Sequence, residues 1–567
     1  MPPLKDDVDA NGSAARLSRL FQSFRQELLR DRPAPEIFEV LSAEPLWVRI
    51  FVVLNVFFFI AVLVMALAFE RTFFALPALL VFAGGFTLLF GYRFSICLGS
   101  FLLALFYAVS YAKFSISGFG IVLSDLSLLG RNMLDLIAID WRVQIFIFCL
   151  LVGVVCEGFF LLRIARVSRQ NILPALVILG LALAAFPYSR SVIAEARASE
   201  LQHQLKWMVA AAPSLASFLA SIEVPALELR TEPRADWADS IDLGAGPQHA
   251  AFQEDRKVNL FLLLYESTFD PSYLDGADFP IEPSELLRPE TGKSGPLLVP
   301  VYGGGTWLTE FALLMGQSPH AYGANAFNLN NLLEGRLKSS VLDGLREARF
   351  ALNVIYPVGG YFLNARGFYE GLGMDFHEPN EEGFSTQDIF RDDLLFHRAL
   401  KLLDPEGSNL QIIVTMQNHG PHNLSDPFKD YWRRLKKQET EASLFKDTIA
   451  EAFHEYENYF LSFGDHHPLF TQSLGLSKEA RHTTFWSLDC RGTCQAFNHM
   501  SFPEEPIGVE FLLGSFLNQA DLPRGRIEAA HRELLARDCL SLDFQCRELD
   551  RHALNWVFSR IGVGDPD

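Results

Sequence analysis

Several common features are missing from this sequence, and each absence removes a class of function. The glycine-rich segment VYGGGTWLTEFALLMG (residues 301–316) has no Gly-Lys-Ser/Thr after its glycines, so it is not a Walker nucleotide-binding loop. No internal repeat is evident, which argues against a solenoid. Residues 1–46 are polar and charged, so we expect no cleavable signal peptide before the first apolar run.

Positive charge is also scarce. The chain has 48 Lys and Arg against 67 Asp and Glu, a formal net charge of −19, and we expect no nucleic-acid partner. Half of the residues are nevertheless hydrophobic, which a soluble protein of this charge tolerates only if the apolar residues are segregated. They are segregated: the chain is mostly apolar from Trp47 to Phe186 and resembles a soluble acidic domain after Leu201.

The apolar part contains five stretches long enough to cross a bilayer as helices. They cover residues 47–69, 72–91, 94–112, 143–162 and 172–188. These stretches predict a five-helix transmembrane domain at 47–188, preceded by a cytoplasmic segment at 1–46.

Basic residues predict the orientation of this domain. Five arginines precede the first span, Arg93 lies between spans two and three, and three arginines lie between spans four and five. Placing these residues in the cytoplasm follows the positive-inside rule. An odd number of spans then puts the juxtamembrane helix and linker (189–250) and the domain at 251–567 on the outer face.

Cysteine is rare, and its placement is uneven. Three of the seven cysteines fall in predicted spans, and the other four are Cys490, Cys494, Cys539 and Cys546. An even number of cysteines in an exported domain predicts two disulfides, with three alternative pairings. The spacing of CRGTC also fits a zinc site, although the second pair is too widely spaced for a zinc knuckle.

The outer domain alternates apolar runs with helical segments. The run at 258–267 is apolar without alternation, which is typical of a strand buried on both faces of a sheet. Similar runs lie at 349–358, 409–417 and, more weakly, 456–465, and residues 340–348 have a helical pattern. This order predicts an α/β fold with a mostly parallel central sheet.

Polar residues follow three of these four strands, at the ends where open α/β sheets place their ligands. They are Glu266, Asn418, His419, His422, Asp465, His466 and His467. Each residue alone has a structural explanation, such as a turn or a helix cap. Their joint occurrence at the ends of buried runs favours a site for a metal or a phosphate.

Thr306 follows the three glycines and is either a helix N-cap or a nucleophile. A set of Asp, Glu and His ligands suits Zn²⁺ or Mn²⁺ better than Ca²⁺, which prefers oxygen ligands. A metal beside a threonine hydroxyl lowers the pKa of that hydroxyl, and the resulting alkoxide can attack a phosphodiester. The nucleophile hypothesis therefore depends on whether these segments converge.

The sequence resembles the lipoteichoic acid synthase and phosphoglycerol transferase branch of the alkaline phosphatase/sulfatase superfamily. The matching motifs are YES at 265–267, GGGTWLTEF at 303–311, NAR at 364–366, MQNHGPH at 416–422 and FGDHHP at 463–468. The resemblance runs from about residue 47 to 490. It implies a membrane-anchored enzyme with a sulfatase-like catalytic domain.

The resemblance also implies residue roles. The residues that match the family's ligands for one divalent ion are Glu266, Thr306, Asp465 and His466. This ion is Mn²⁺ or Zn²⁺, with Mg²⁺ as an alternative, and Thr306 is also the nucleophile.

Further positions match residues that contact the substrate in the family. His419 corresponds to a histidine at the phosphoryl or leaving group, and Arg366 to an arginine that binds the headgroup. Asn364 and His467 are expected to assist. Trp307 stands where relatives often carry a small or polar residue, so we expect it to shape the headgroup pocket.

The resemblance predicts transfer of glycerol phosphate from phosphatidylglycerol to a periplasmic glycan or lipid acceptor through a covalent threonine intermediate. The enzyme would lie in a bacterial inner membrane with a cytoplasmic N-terminus. The alternatives are phosphoethanolamine transfer, hydrolysis to free headgroup and a non-catalytic membrane scaffold. No Cys-x-Pro-x-Arg sulfatase signature is present, which argues against sulfate-ester hydrolysis.

Overall fold

A computed structural model describes residues 236–240, 256–274, 281–360, 362–379, 388–423 and 425–563. The predicted cytoplasmic segment, all five predicted spans and most of the predicted linker lie outside these ranges. Among the described residues, no helix combines the length and apolar character needed to span a membrane. The described residues therefore belong almost entirely to the predicted outer domain.

The described part contains eight strands and ten α-helices. The strands are β1 (Val258–Tyr265), β2 (Lys293–Leu298), β3 (Ala351–Ile355), β4 (Asp375–His377), β5 (Asn409–Val414), β6 (Glu457–Gly464), β7 (Thr483–Gly492) and β8 (Ile507–Gly508). The helices are α1 (Thr306–Met315), α2 (Leu329–Leu332), α3 (Asp343–Glu347), α4 (Ala365–Gly371), α5 (Asp392–Lys401), α6 (Pro427–Ala452), α7 (Lys478–His482), α8 (Val509–Gln519), α9 (Ile527–Leu535) and α10 (Glu548–Ile561).

All eight strands belong to one sheet in the order β4-β3-β5-β1-β6-β7-β2-β8. Five neighbouring pairs are parallel, and β7 alone runs against its two neighbours. The prediction of a mostly parallel α/β sheet is confirmed. All four predicted strands are present as β1, β3, β5 and β6.

The central strand β1 is buried on both faces, as its continuous apolar sequence predicts. Leu260, Leu262 and Leu264 pack into a core that includes α1, α8, α9 and α10. Phe261 and Leu263 point to the other face and pack with α5 and α6. The fold therefore has three layers, with the sheet between two layers of helices.

Three asparagines fix the register of the central strands at their amino ends. Asn409 Nδ2 donates to Asn259 Oδ1, and Asn259 Nδ2 donates to Asn458 Oδ1, each over 2.8 Å. All three side chains are buried. Because a one-residue slip would leave these amides unpaired, they help to align the opposite, carboxyl ends of β5, β1 and β6.

The four cysteines of the outer domain form two disulfides, Cys490–Cys494 and Cys539–Cys546. Of the three pairings that the sequence left open, the structure has the one that joins neighbours along the chain. Each bridge closes a short local loop. The disulfide prediction is confirmed, and none of these cysteines belongs to a metal-ligand cluster in the described ranges.

Candidate metal centre and active site

Two buried carboxylates lie side by side because of the register of β1 and β6. Tyr265 pairs with Gly464 at the carboxyl ends of these parallel strands, and Glu266 and Asp465 directly follow them. Glu266 is 2% exposed and Asp465 is fully buried. Sheet pairing thus joins residues that are 199 positions apart in the sequence (465 minus 266).

Three glycines carry the chain to Thr306, the first residue of α1. Gly303, Gly304 and Gly305 have φ values of 76°, 146° and 97°, which L-residues with a side chain rarely adopt. The Thr309 hydroxyl donates to the Asp465 carbonyl oxygen over 2.9 Å and ties α1 to the end of β6. The glycines and this tether together place the Thr306 hydroxyl at the carboxylates.

The Thr306 hydroxyl donates a hydrogen bond of 2.6 Å to Glu266 Oε2 and lies 3.4 Å from His466 Nε2. His466 Nε2 is also 3.2 Å from Glu266 Oε1 and 3.2 Å from Asp465 Oδ2. His466 Nδ1 donates to the His467 carbonyl, which fixes the ring orientation and turns Nε2 towards the carboxylates. The structure therefore brings together all four residues that match the family's metal ligands.

The electrostatics of this cluster reflect crowded negative charge. Burial alone would raise the pKa of Glu266, but the charge of His466 and its hydrogen bond outweigh burial and lower that pKa. Burial and the charge of Glu266 raise the pKa of Asp465 well above its usual range. Burial opposes ionisation of His466, yet the two carboxylates raise its pKa to about 9. The cluster has excess negative charge that a proton or a cation offsets.

The donor set fits a divalent transition-metal ion. One ligand atom from each of Glu266, Asp465 and His466 lies within 4.8 Å of the others. Asp465 Oδ1 accepts two backbone N–H bonds, whereas Oδ2 is buried without a hydrogen-bond donor in the described part of the chain. A buried carboxylate oxygen without a donor is costly unless a cation neutralises it. Mixed oxygen and imidazole ligands suit Zn²⁺ or Mn²⁺.

His419 lies on the loop after β5, which α6 holds in place. Arg434 donates to the His419 carbonyl over 2.7 Å and to the Pro421 carbonyl over 2.9 Å. His419 Nδ1 donates to the Gly420 carbonyl, so Nε2 is the nitrogen left for other contacts. The charge of His419 also lowers the pKa of Glu266, after the larger contributions of burial and His466.

The predicted headgroup residues have partners within the protein. The Arg366 guanidinium pairs with Glu370 at 3.3 Å and Glu378 at 3.2 Å, and it stacks on the Phe376 ring. Asn364 donates to the Asn330 carbonyl and to Glu334 Oε2. Their contacts with a headgroup stay a prediction.

Trp307 is only 6% exposed and packs in the core on the α1 side of the sheet. His467 is fully buried, donates to the Thr483 carbonyl and stacks on Phe269. Burial lowers the pKa of His467 to about 3, so this ring is neutral at physiological pH. Both residues are positioned to support the site from within, and their predicted substrate roles are untested.

The sequence interpretation did not identify three residues that contact the site or its supports. Ser267 bonds both carboxylates, Glu310 is a buried acid one turn after Thr306, and Arg434 holds the His419 loop. The four-residue spacing of Thr306 and Glu310 was a signal for one helix face. Ser267 stands in the YES motif, but its role there was not identified, and no local pattern marks Arg434, because the contacts of both residues form only in the tertiary fold.

A known family model matches the part of the chain that forms this site. The sulfatase family model matches residues 258–467, from the start of β1 to the histidine after His466. An uncharacterized protein of Haemophilus influenzae is 24% identical over 187 residues, which cover 30% of this chain and 34% of that relative. The match thus spans only about a third of the curated relative.

Two solved structures are similar to this chain. Streptococcus pyogenes phosphoglycerol transferase GacH, in complex with sn-glycerol-1-phosphate, is 17% identical, with a TM-score of 0.47 over 60% of this chain and 97% of that chain. Lipooligosaccharide phosphoethanolamine transferase A (EptA) of Neisseria meningitidis, an integral membrane protein, is 12% identical, with a TM-score of 0.43 over 76% and 87% of the two chains. Similarity at this level does not identify a substrate. Residues 258–467 match the sulfatase family model, which confirms the resemblance to the alkaline phosphatase/sulfatase superfamily.

Proposed function

We propose that this protein is a membrane-anchored transferase that moves glycerol phosphate from phosphatidylglycerol to a periplasmic glycan or lipid acceptor. The observation that carries the proposal is the position of the Thr306 hydroxyl, 2.6 Å from Glu266 and 3.4 Å from His466 at the start of α1. A hydroxyl among buried carboxylates and imidazole is arranged as an activated nucleophile rather than as a helix cap. The N-cap of α1 is Gly305, and Thr306 is the first residue of the helix.

The reaction proceeds in two steps. The Thr306 oxygen attacks the phosphorus of the donor, its proton passes to Glu266 Oε2, and the bond from phosphorus to the diacylglycerol oxygen breaks. His419 would give a proton to that leaving oxygen. An acceptor hydroxyl then attacks the phosphothreonine diester and gives its proton to His419, the bond from phosphorus to the Thr306 oxygen breaks, and Thr306 takes its proton back from Glu266.

Glu266, Asp465, His466 and Thr306 would hold a divalent ion, Mn²⁺ or Zn²⁺. When bound, the ion would supply positive charge that favours the threonine alkoxide and offsets charge on the phosphate. The chain itself fixes the ring of His466 through Nδ1 and keeps the hydroxyl proton directed at Glu266 Oε2. The N-terminal amides of α1 face the same position and favour an anion there.

The membrane part of the proposal comes from the sequence. The five predicted spans at 47–188 would keep the catalytic domain at a surface that contains its lipid donor. The two disulfides favour an oxidising compartment, such as the periplasm behind a bacterial inner membrane.

Mass spectrometry of Thr306 tests this proposal. Full-length protein in phosphatidylglycerol proteoliposomes with Mn²⁺, but no acceptor, should accumulate a glycerophosphoryl group on Thr306. Thr306→Ala should abolish both the adduct and diacylglycerol release, a loss of at least about a thousandfold for removal of a nucleophile. Thr440→Ala, which changes an exposed threonine of α6, is the matched control and should behave as the wild type.

The same experiment separates the alternatives. An adduct formed only from phosphatidylethanolamine would identify a phosphoethanolamine transferase. Free glycerol phosphate released at the full turnover rate, with an acceptor present, would identify a hydrolase. Wild-type diacylglycerol release by Thr306→Ala would refute the role of Thr306, and no turnover of either lipid would favour the scaffold.

A further inference from the structure

Ser267 hydrogen-bonds the carboxylates of both Glu266 and Asp465. Its hydroxyl donates to Glu266 Oε1 over 2.9 Å. Its backbone N–H donates to Asp465 Oδ1 over 2.8 Å. Glu266 follows β1 and Asp465 follows β6, so Ser267 connects two metal-ligand candidates that come from different strands.

The backbone of Ser267 is in the left-handed region, with φ of 52°. A residue with a side chain adopts this conformation at a cost, and such positions often occur where a site requires them. In this conformation the Ser267 N–H donates to Asp465 while the Ser267 hydroxyl reaches Glu266. Glycine would adopt the same φ without strain, but it would supply no hydroxyl for Glu266.

The hydrogen bonds of Ser267 occupy one oxygen of each carboxylate and leave the other oxygen for a different contact. Asp465 Oδ1 receives the N–H groups of Ser267 and His466, so Oδ2 is left on the side of His466 Nε2. Glu266 Oε1 receives the Ser267 hydroxyl, and Oε2 receives the Thr306 hydroxyl. Each carboxylate is therefore held in one orientation before any ion binds.

A second set of bonds holds the segment that follows. The Thr268 hydroxyl donates to the Glu266 carbonyl over 3.0 Å, and Asn418 Nδ2 donates to the Thr268 hydroxyl over 3.2 Å. Asn418 comes from the loop after β5, so three neighbouring strands contribute to this support. Ser267 itself is only 4% exposed, which leaves little surface for contact with a substrate.

We infer that Ser267 is a positioning residue for the metal ligands, whose hydroxyl and left-handed N–H preorganise Glu266 and Asp465 for a divalent ion. This inference rests on the metal site of the proposed function. Outer groups that orient metal ligands typically change metal affinity by about tenfold to a hundredfold when they are removed. Loss of the hydroxyl should therefore weaken ion binding even when the fold is intact.

Two substitutions separate this role from a contribution to stability. Ser267→Gly removes the hydroxyl and relieves the backbone cost, so it should melt no lower than the wild type but bind Mn²⁺ about tenfold more weakly or worse. Ser267→Thr keeps a hydroxyl, although a β-branched residue is disfavoured at this φ. It should melt at a lower temperature yet keep Mn²⁺ affinity within about threefold of the wild type, well inside the tenfold loss typical of a removed support.

The measurement is the Mn²⁺ dissociation constant of the purified full-length chain in detergent, by titration calorimetry, with thermal melting of the same samples. Ser487→Ala is the matched control, because Ser487 lies in β7 and its buried hydroxyl donates to the Leu286 carbonyl rather than to a residue of the site. The opposite order, with tight binding by Ser267→Gly and weak binding by Ser267→Thr, would overturn the inference. Equal Mn²⁺ affinity in all variants would also overturn the inference, but it would be consistent with the metal site of the proposed function. Absence of Mn²⁺ and Zn²⁺ binding by the wild type would instead remove the site and the inference with it.

Discussion

Glu310 lies one turn beyond Thr306 in α1 and is 2% exposed. Its Oε1 accepts a 3.3 Å hydrogen bond from the Tyr356 hydroxyl. Burial raises the pKa of Glu310 to about 8, above its ordinary value of 4.5, and the negative charge of Glu266 adds to this effect. Glu310 is therefore largely protonated in the folded protein at neutral pH, whereas it ionises in the unfolded chain.

This difference predicts that Glu310→Gln alters the pH dependence of stability. Between pH 4.5 and about 8 the folded state binds more protons at this position, so the wild type loses stability as pH rises. Gln stays neutral and retains an oxygen for Tyr356. The variant should thus gain free energy of unfolding relative to the wild type as pH rises from 5 to 8, by up to about 4 kcal/mol at about 1.4 kcal/mol per pH unit.

Urea unfolding of the full-length protein at pH 5, 6, 7 and 8 measures this difference. Glu451→Gln, at an exposed position of α6, is the control and should follow the wild type at every pH. Parallel curves for Glu310→Gln and the wild type would show that Glu310 ionises normally in the fold. The sequence indicated the shared face of Thr306 and Glu310, but burial of the acid required the core around α1.

The element that presents the nucleophile is α1, and its position depends on the glycines before it. Gly305 precedes Thr306 with φ of 97°, and a Cβ there would lie 3.2 Å from Val301 Cγ1. An alanine would strain the backbone by about 1–2 kcal/mol and crowd Val301. Relief of the strain or of the contact with Val301 would move the start of α1 and the Thr306 hydroxyl with it.

We therefore expect Gly305→Ala to lower the rate of headgroup transfer at least about a hundredfold, as small misplacements of reacting groups do. Gly335→Ala is a matched control, because Gly335 also has a positive φ, of 70°, but has open space around its Cβ position. Both variants should lose similar stability in urea unfolding, whereas transfer should fall in Gly305→Ala alone. Equal transfer rates in the two variants would show that the glycine approach does not position Thr306.

Prediction of the strands depended on their sequence pattern. The continuous apolar runs revealed β1, β3, β5 and β6, because strands buried on both faces need no polar alternation. β4 and β8 have three and two residues, too few for a period. β2 contains Gly295 and Pro296, which are unfavourable in strands, so its place between β7 and β8 could not be predicted locally.

At the scale of the whole molecule, the predicted linker is attached to the end of the chain. Trp237 lies in a short 3-10 helix, Asp236–Ser240, and its Nε1 donates to Asp550 Oδ1 of α10 over 2.9 Å. Trp237 and Ala238 are buried in the same core as α10. The sequence around Trp237 has little periodicity, so this attachment was absent from the prediction of a juxtamembrane helix and linker at 189–250.

Trp237→Phe should destabilise the outer domain by about 1–3 kcal/mol, because a buried carboxylate oxygen loses its donor. Urea unfolding of the full-length chain measures the loss, and a double-mutant cycle with Asp550→Ala isolates the pair. Trp556→Phe, the same change at a partly buried tryptophan of α10, serves as the control. A coupling energy near zero between Trp237 and Asp550 would contradict the attachment.

The sequence by itself determined the α/β class, the four strands β1, β3, β5 and β6, the number of disulfides and the superfamily. These properties follow from composition and from local patterns, since a buried strand or a motif can be recognised in a segment of about ten residues. The tertiary structure decided the disulfide pairing, the convergence of Glu266, Thr306, Asp465 and His466, and the supports from Ser267 and Arg434. Contacts between distant segments depend on strand register and helix packing, and no local stretch of sequence contains that information.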